Sequence, residues 1–347
     1  MSFPIDPPLE PMLARLSPAI PNGPEWRYEP KWDGFRALIY RDRDDVEIGS
    51  RNALPLGRYF PEVVEIARSL LPRRCVVDGE IVIPSENGLD FEALQLRLHP
   101  AASRVQKLAT ELPASYVAFD VLHDGTADRR SDPFDDRRST LTSLIESSER
   151  CFATPQTRDP REAAAWFERF EGAGLDGIVA KRGDGPYVHG ERVMTKIKHE
   201  RTADCIVAGY RPAKNGVGIG SLLLGLYDDD GLLHHVGFTS AFRAPQRRAL
   251  LEMLKPYEQG GGFTGRAPYA ASRWSQGRDD TYVALRPELV CEVAFDHLQG
   301  DRFRHGTRFI RWRPDRDARS CTYEQFEAPA AFSLGDIIRL SERSSRA

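Results

Sequence analysis

The sequence predicts a two-domain α+β protein, a first part in which strands and helices alternate and a second, β-rich part of barrel type. Three observations carry this. The chain has 347 residues, 41% hydrophobic and 29% charged, enough to bury two ordinary cores. Through about residue 200 the apolar positions switch repeatedly between a period of 2 and a period of 3.6. From about Thr202 they keep mostly to a period of 2, with a single helical stretch. The expected domains are therefore 1–200 and 201–347.

Taken in order, Trp26–Glu29, Phe35–Arg41 and Val46–Gly49 read as strands, the last two joined by a turn at Asp42–Asp45. Pro61–Leu71 reads as a helix, with proline in the first turn where its missing N–H costs nothing. Cys75–Ile83 is β-rich, and Asp90 can cap a helix running through His99 by accepting from a first-turn N–H. Tyr116–Leu122 is an apolar strand and Arg137–Glu146 has helical spacing. A helix Arg161–Glu171 is stopped by Gly172 and Gly174, and strands follow at Gly177–Lys181 and Val193–Lys198. The second part offers strands at Asp204–Tyr210, Ser221–Tyr227, Leu232–Thr239, Tyr282–Leu285, Val290–His297 and Thr307–Trp312. With one helix, Pro245–Leu254, they suit a small Greek-key barrel of the OB kind.

Composition excludes several classes. There are 48 basic against 51 acidic residues, a net charge of -3, so no basic coat covers the whole molecule. The charge is unevenly spread: 27 basic and 33 acidic residues up to 200, then 21 and 18, with seven arginines against three aspartates in 301–320. Five scattered cysteines show no metal-ligand spacing and no disulfide framework. No window reaches the ~18 apolar residues of a membrane span, and the expectation is a soluble, reduced, cytoplasmic protein, monomeric and without a membrane partner. Gly216, Gly218 and Gly220 are misplaced for a dinucleotide fingerprint, and His234-His235, lacking a third ligand, is expected on a hairpin surface.

The stretch Glu29-Pro30-Lys31-Trp32-Asp33-Gly34-Phe35-Arg36 sets a lysine between two strands. Only seven basic residues are lysine and 41 are arginine. Codon usage in a GC-rich genome accounts for the overall bias, and an isolated K-x-D-G also suits a surface ion pair; but a guanidinium cannot lose its proton, so a retained lysine can be one that acts as a nucleophile. Gly34 would allow close backbone approach. Lys196 and Lys198, two apart on a strand, share a face where both could meet one phosphate.

This K-x-D-G stretch resembles the adenylation motif of the covalent nucleotidyltransferases, which include ATP-dependent DNA ligases, RNA ligases and mRNA capping enzymes. Further matches follow in order: Gly49-Ser50-Arg51-Asn52, Val77-Asp78-Gly79-Glu80-Ile81, Ala118-Phe119-Asp120-Val121, Leu175-Asp176-Gly177-Ile178-Val179-Ala180-Lys181, Met194-Thr195-Lys196-Ile197-Lys198, and Arg308 through Arg316. The whole pattern is most similar to bacterial ATP-dependent DNA ligases of the ligase C kind, related to the ligase module of ligase D. The resemblance implies a nucleotidyltransferase (adenylation, ATP-grasp-like) domain followed by an OB-fold domain, with no helical DNA-binding domain ahead of Lys31.

It also implies roles. Lys31 would attack the α-phosphate of ATP to give lysyl-AMP, which is passed to the 5′-phosphate of nicked duplex DNA before the 3′-hydroxyl displaces AMP. Lys196 and Lys198 would hold the α-phosphate. Glu29 with the backbone at Pro30 would read the adenine edge, and Phe119 would stack on the base. Arg36 and Arg51 would contact ribose or the DNA 5′-phosphate, and Arg211 and Lys214 would touch DNA phosphates. Glu80 and Asp176 would hold Mg²⁺ or Mn²⁺, with a hydrogen bond to the ribose the alternative for Glu80; Asp176 stands where the family has Glu, and its shorter reach suits a water-mediated contact. Among Arg304, Arg311, Arg313 and Arg316, Arg313 is the first candidate to orient pyrophosphate. Bacterial repair partners such as Ku or a primase-polymerase are implied, with nucleoid association during action. Two other readings share parts of the pattern. A capping-type guanylyltransferase or RNA ligase would use the same Lys31 chemistry, whereas a non-catalytic OB-fold nucleic-acid-binding protein would need none of these lysines.

Overall fold

The computed structural model describes residues 3–86, 88–170, 175–199, 201–214, 216–268, 282–296, 298–326 and 335. Gly172 and Gly174, Glu200, His297 and all but one residue of 327–347 lie outside the described residues. Two compact units divide the chain, one built on Met1–His199 and one on Glu200–Glu327.

In the first unit the strands are β1 (Ala14–Leu16), β2 (Trp26–Pro30), β3 (Phe35–Asp42), β4 (Asp45–Ser50), β5 (Arg74–Val82), the two-residue β6 (Pro84–Ser85) and β7 (Gly88–Leu89), β8 (Ser115–His123), β9 (Cys151–Ala153), β10 (Ile178–Arg182) and β11 (Met194–Ile197). Helices are α1 (Pro61–Leu70), α2 (Phe91–Arg97), α3 (Ala102–Glu111), α4 (Phe134–Leu144) and α5 (Pro160–Phe170). One sheet has the order β4-β3-β5-β8-β9 and the other β1-β11-β10-β2.

Alternation along the strands decides what each face buries. Ala37 and Ile39 of β3, with Cys75, Val77 and Ile81 of β5, pack with Val63, Ile66 and Ala67 of α1. Leu38 and Tyr40 of β3 and Val76 of β5 point the other way, into a core shared with Met12 and Met194. A third cluster joins Tyr28, Ile178 and Ala180 to Ala163 and Trp166 of α5. Each fully buried Val, Leu or Ile here contributes about 1.5–3 kcal/mol.

Most expected elements are present, with shifted ends. Asp90 does cap α2, accepting from the Ala93 N–H at 2.8 Å, but the helix ends at Arg97 instead of His99. The α4 helix begins at Phe134, three residues earlier than Arg137, behind Pro133. Besides the two-residue strands, three of these elements went unread. The α3 helix is apolar at Val105 and Ala109, one turn apart. The three-residue strands β1 and β9 exist through parallel pairing with β11 and β8, a tertiary effect that no local pattern announces.

The second unit contains β12 (Arg201–Pro212), β13 (Ile219–Tyr227), β14 (Leu233–Thr239), α6 (Ala244–Leu254), β15 (Val283–Ala284), β16 (Val290–Phe295), the two-residue β17 (Leu298–Gln299) and β18 (Arg302–Phe303), and β19 (Arg308–Trp312). Its sheet runs β14-β13-β12-β16-β19, and a parallel bridge between Thr239 and Thr307 closes it. Three sequential strands, a helix and two more strands in a closed sheet make an OB-fold barrel, as the sequence predicts. After Gly216 and Gly218 the chain enters β13, a strand, so no dinucleotide fingerprint is built.

The histidine pair departs from expectation. His234 hydrogen-bonds Asp228 at 2.6 Å, but His235 is buried edge-on against Phe263, with ring centroids 5.3 Å apart. Burial, reinforced by Arg302, Arg211 and Arg266, pushes its pKa down to about 3. A bulge within the β13–β14 ladder turns the side chain inward. All five cysteines are free and buried. No helix among the described residues is long and apolar enough to cross a membrane.

Candidate active site

The site of the first unit starts with backbone. Lys31 occupies the turn between β2 and β3, where its N–H donates to the Gly177 carbonyl at 2.8 Å. Its own carbonyl accepts from the Asp176 N–H at 2.9 Å. Two loops distant in sequence are thereby clasped. Their glycines permit it: a Cβ on Gly177, which has φ +123°, would lie 2.0 Å from the Ile197 carbonyl oxygen. A Cβ on Gly34 would lie 2.2 Å from the Ile81 carbonyl oxygen.

The clasp brings side chains of three segments together. Asp176 Oδ2 accepts from Lys31 Nζ at 2.6 Å and from Lys198 Nζ at 2.7 Å. Lys196, on the same face of β11 as Lys198, is the cation pushed below its ordinary pKa, first by burial and then by Lys198, Lys31 and Arg51. Two lysines thus share one carboxylate, and Lys196 is coupled electrostatically to both lysines, to that carboxylate and to Arg51. An arriving phosphate would relieve the mutual repulsion of these cations, so the arrangement is built to receive an anion.

Opposite stand alternate residues of β3 and β5. Arg36 donates from Nε to Asp78 Oδ1 at 2.6 Å and from Nη2 to Oδ2 at 2.5 Å. Burial alone would lower the Arg36 pKa, but Asp78 outweighs it and the net shift is upward. Tyr187 also donates to Asp78 Oδ2 at 2.6 Å, and Met12 N–H donates to the Tyr187 hydroxyl. Glu80 follows two positions after Asp78. Burial pushes its carboxyl up to about 7, against the pull of Arg36 and Lys31.

Phe119 occupies a bulge in β8, since Asp78 pairs with Asp120 and Gly79 with Ala118. Bulges re-aim a side chain, and here the ring is buried with the Arg36 guanidinium 4.4 Å from its centroid. Glu29, also buried, pairs with Lys181 at 2.8 Å. Trp32 is a packing residue, hydrogen-bonded to Thr154 and edge-on to Phe152.

The structure therefore brings Lys31, Lys198 and Asp176 into direct contact, with Arg36 on Phe119 and with Lys196, Glu80 and Arg51 coupled electrostatically. Arg51 is exposed, just beyond β4. Arg211, Lys214 and Arg313 belong to the second unit. There Arg313 is held by Asp204 at 3.0 Å and Asp315 at 2.9 Å, while Arg316 also reaches Asp204. Sequence reasoning missed Lys181 as a partner of Glu29 and Tyr187 as a partner of Asp78. The rarity of lysine in this chain was a usable signal for the first, whereas nothing local marks the second.

Comparisons with known proteins show the family. The family model described as "ATP dependent DNA ligase domain" matches residues 11–198, and the "ATP dependent DNA ligase C terminal region" matches residues 215–316. DNA ligase C of Mycobacterium tuberculosis is 51% identical over 97% of this chain and 99% of its own. DNA ligase C1 of Mycolicibacterium smegmatis is 47% identical over the same shares. A solved Lig E DNA ligase, 19% identical, aligns with a TM-score of 0.56 over 87% of this chain and 99% of its own, a likeness of fold. Matched by the first of these models over more than half of its length and by the two ligase C relatives over 97% of it, the chain belongs to the ATP-dependent DNA ligase family.

Proposed function

We propose that the protein seals nicks in duplex DNA through three in-line transfers, with Lys31 as the nucleophile that becomes adenylylated by ATP. The observation that carries this is the contact of Lys31 Nζ and Lys198 Nζ with one oxygen of Asp176. A general advantage follows from covalent catalysis: AMP stays attached between steps, so the activated phosphate is never released. Lys31 must give up a proton to attack, and Asp176 at 2.6 Å is placed to orient the amine. Lys196 and Lys198 would hold the α-phosphate, and Glu29 with the Pro30 backbone the adenine edge. Phe119 would stack on the base, and Arg36 and Arg51 would hold ribose or the 5′-phosphate. In the second unit, Arg211 and Lys214 would touch DNA phosphates and Arg313 would orient pyrophosphate after exchanging Asp204 and Asp315.

The residues present fit a divalent cation. Glu80 is a half-buried carboxyl whose pKa desolvation has raised, so a neighbouring cation would stabilise its charged form. No group of three or more metal-ligating side chains occurs among the described residues, and Mg²⁺ typically uses one or two carboxylates with substrate phosphates and water. Glu80 and Asp176 would hold Mg²⁺ or Mn²⁺, which offsets charge on the phosphate oxygens. The wider setting that fits this reading is bacterial DNA repair in the cytoplasm, at the nucleoid during action, with Ku or a primase-polymerase as candidate partners. The test is to incubate the protein with α-labelled ATP or GTP, with NAD as a control, and then with nicked duplex. Labelling and sealing with ATP are expected, and labelling by GTP alone would refute the reading.

Two variants probe the site. Gly34→Ala drives a methyl group into the Ile81 carbonyl and displaces the Lys31 turn. Lysyl-AMP formation should fall by about 100-fold or more, read from single-turnover labelling. Glu80→Gln should lose activity yet gain stability. A carboxyl raised from 4.5 to about 7 supports folding fully below pH 4.5, and that support is lost as pH rises through 7. At pH 8 the variant should be roughly 1–3 kcal/mol more stable than the parent, with the difference shrinking towards pH 5 in urea unfolding. Equal stability at both pH values would contradict this.

A further inference from the structure

Lys181 is 3% exposed, an unusual place for an ammonium. It sits on β10 beside β2 and engages Glu29 Oε2 at 2.8 Å and the Phe119 carbonyl oxygen at 2.9 Å. The rings of Phe119 and Phe134 lie against the same ammonium, their centroids 4.9 and 4.5 Å away. The other carboxylate oxygen of Glu29, Oε1, meets Gln156 Nε2 at 3.5 Å, the outer limit of a hydrogen bond. One oxygen of Glu29 is therefore fixed and the other is weakly engaged.

We infer that Lys181 is a positioning residue for base selection, locking Glu29 through Oε2 so that Oε1 faces the nucleotide base as a pure acceptor. The inference rests on the reading that Glu29 meets the base of ATP. A 6-amino group, as in adenine, donates to such an oxygen. A 6-oxo group, as in guanine, sets lone pairs against lone pairs. Lys181 cannot rescue the oxo group by donating to it, because its ammonium is committed to Glu29 and the Phe119 carbonyl. The two rings, one of them the expected stacking platform, further hold the ammonium in place. Discrimination of this kind is strong where a buried polar group would be left unpaired by the wrong substrate.

The test compares ATP with an analogue that differs from it only at position 6, and with GTP, which also carries a 2-amino group. Lysyl-nucleotide formation is followed with ATP, with the 6-unsubstituted purine riboside triphosphate, and with GTP, for the parent, Lys181→Met and Lys181→Gln. The parent should prefer ATP over the 6-unsubstituted analogue. In Lys181→Met that preference in kcat/KM should shrink at least about tenfold, through a raised KM for ATP, with the rate at saturating ATP changed less than about threefold. The GTP-to-ATP ratio should rise in parallel. A Lys181→Met protein that keeps the parent's preference for ATP overturns the inference, whatever its absolute rate. Where Lys181→Met does not fold, Lys181→Gln decides, a reduced preference supporting the inference and a parental one overturning it. Failure of the parent itself to be labelled by ATP would instead sink the ligase reading.

Discussion

Replacement of Lys31 by alanine should abolish both lysyl-AMP formation and the sealing of nicks from ATP, a loss of at least about 10⁴-fold. Lys31→Arg should fail equally, because a guanidinium keeps its proton at any working pH. Both variants should still join a nick that already carries AMP on its 5′-phosphate, since the third transfer needs the phosphate-holding cations but no enzyme nucleophile. The fold should tolerate the alanine, because Asp176 retains Lys198 at 2.7 Å and the clasp of the two loops is made by backbone groups. Denaturing gels after labelling, together with sealing of plain and pre-adenylylated nicks, separate the steps. Nick sealing from ATP by Lys31→Ala would show that another group carries the adenylate, and it would revive the non-catalytic reading of this chain's lysines.

The largest effect on stability should come from Asp120→Ala. Asp120 and Arg137 are 1% and 0% exposed, joined by two hydrogen bonds of 2.8 and 3.0 Å. Arg137 also donates to the carbonyls of Asp132 and Gly185, tying α4 to the segment after β10. Removing the carboxylate strands a guanidinium out of water, at a cost of about 3–5 kcal/mol. For a unit of this size that corresponds to a fall of roughly 6–20 °C in Tm. The paired change Asp120→Leu with Arg137→Met should recover most of it, because a buried ion pair exchanged for apolar groups is often close to neutral. Calorimetry of the parent and the two variants decides, and an Asp120→Ala protein melting within 1 °C of the parent would contradict this. Since Asp120 follows Phe119 at the bulge, the single variant should also weaken ATP binding.

Much of the site was legible because ligase chemistry constrains local sequence. The stretch from Glu29 to Arg36 had to combine a nucleophile, a glycine for close approach and a strand, and the structure shows Gly34 packed where no Cβ fits. Lys196 and Lys198 declared their common face by spacing alone. The partners were harder to foresee. Asp176 was read as a metal ligand from its place in the sequence, and its bridge between Lys31 and Lys198 could not be read there. The aspartates that hold Arg313, Asp204 and Asp315, were likewise not read from the sequence. His235 was expected at the surface and is buried, because a bulge decides its facing. An ion pair depends on which loops meet, and that is settled only when the sheets have formed.

By itself, the sequence determined the order of strands and helices, the change from an α/β half to a barrel, and the residues capable of nucleophilic and phosphate chemistry. Periodicity and side-chain chemistry act over a few residues, so they can be read without a fold. Only the tertiary structure decided that β1 and β9 would be strands, that Asp176 would lie between two lysines, that Lys181 would lock Glu29, and that Tyr187 would cap Asp78. These features join residues separated by tens to more than a hundred positions, through parallel pairing, backbone approach and burial. Their energy comes from contacts that exist only after the chain has closed on itself.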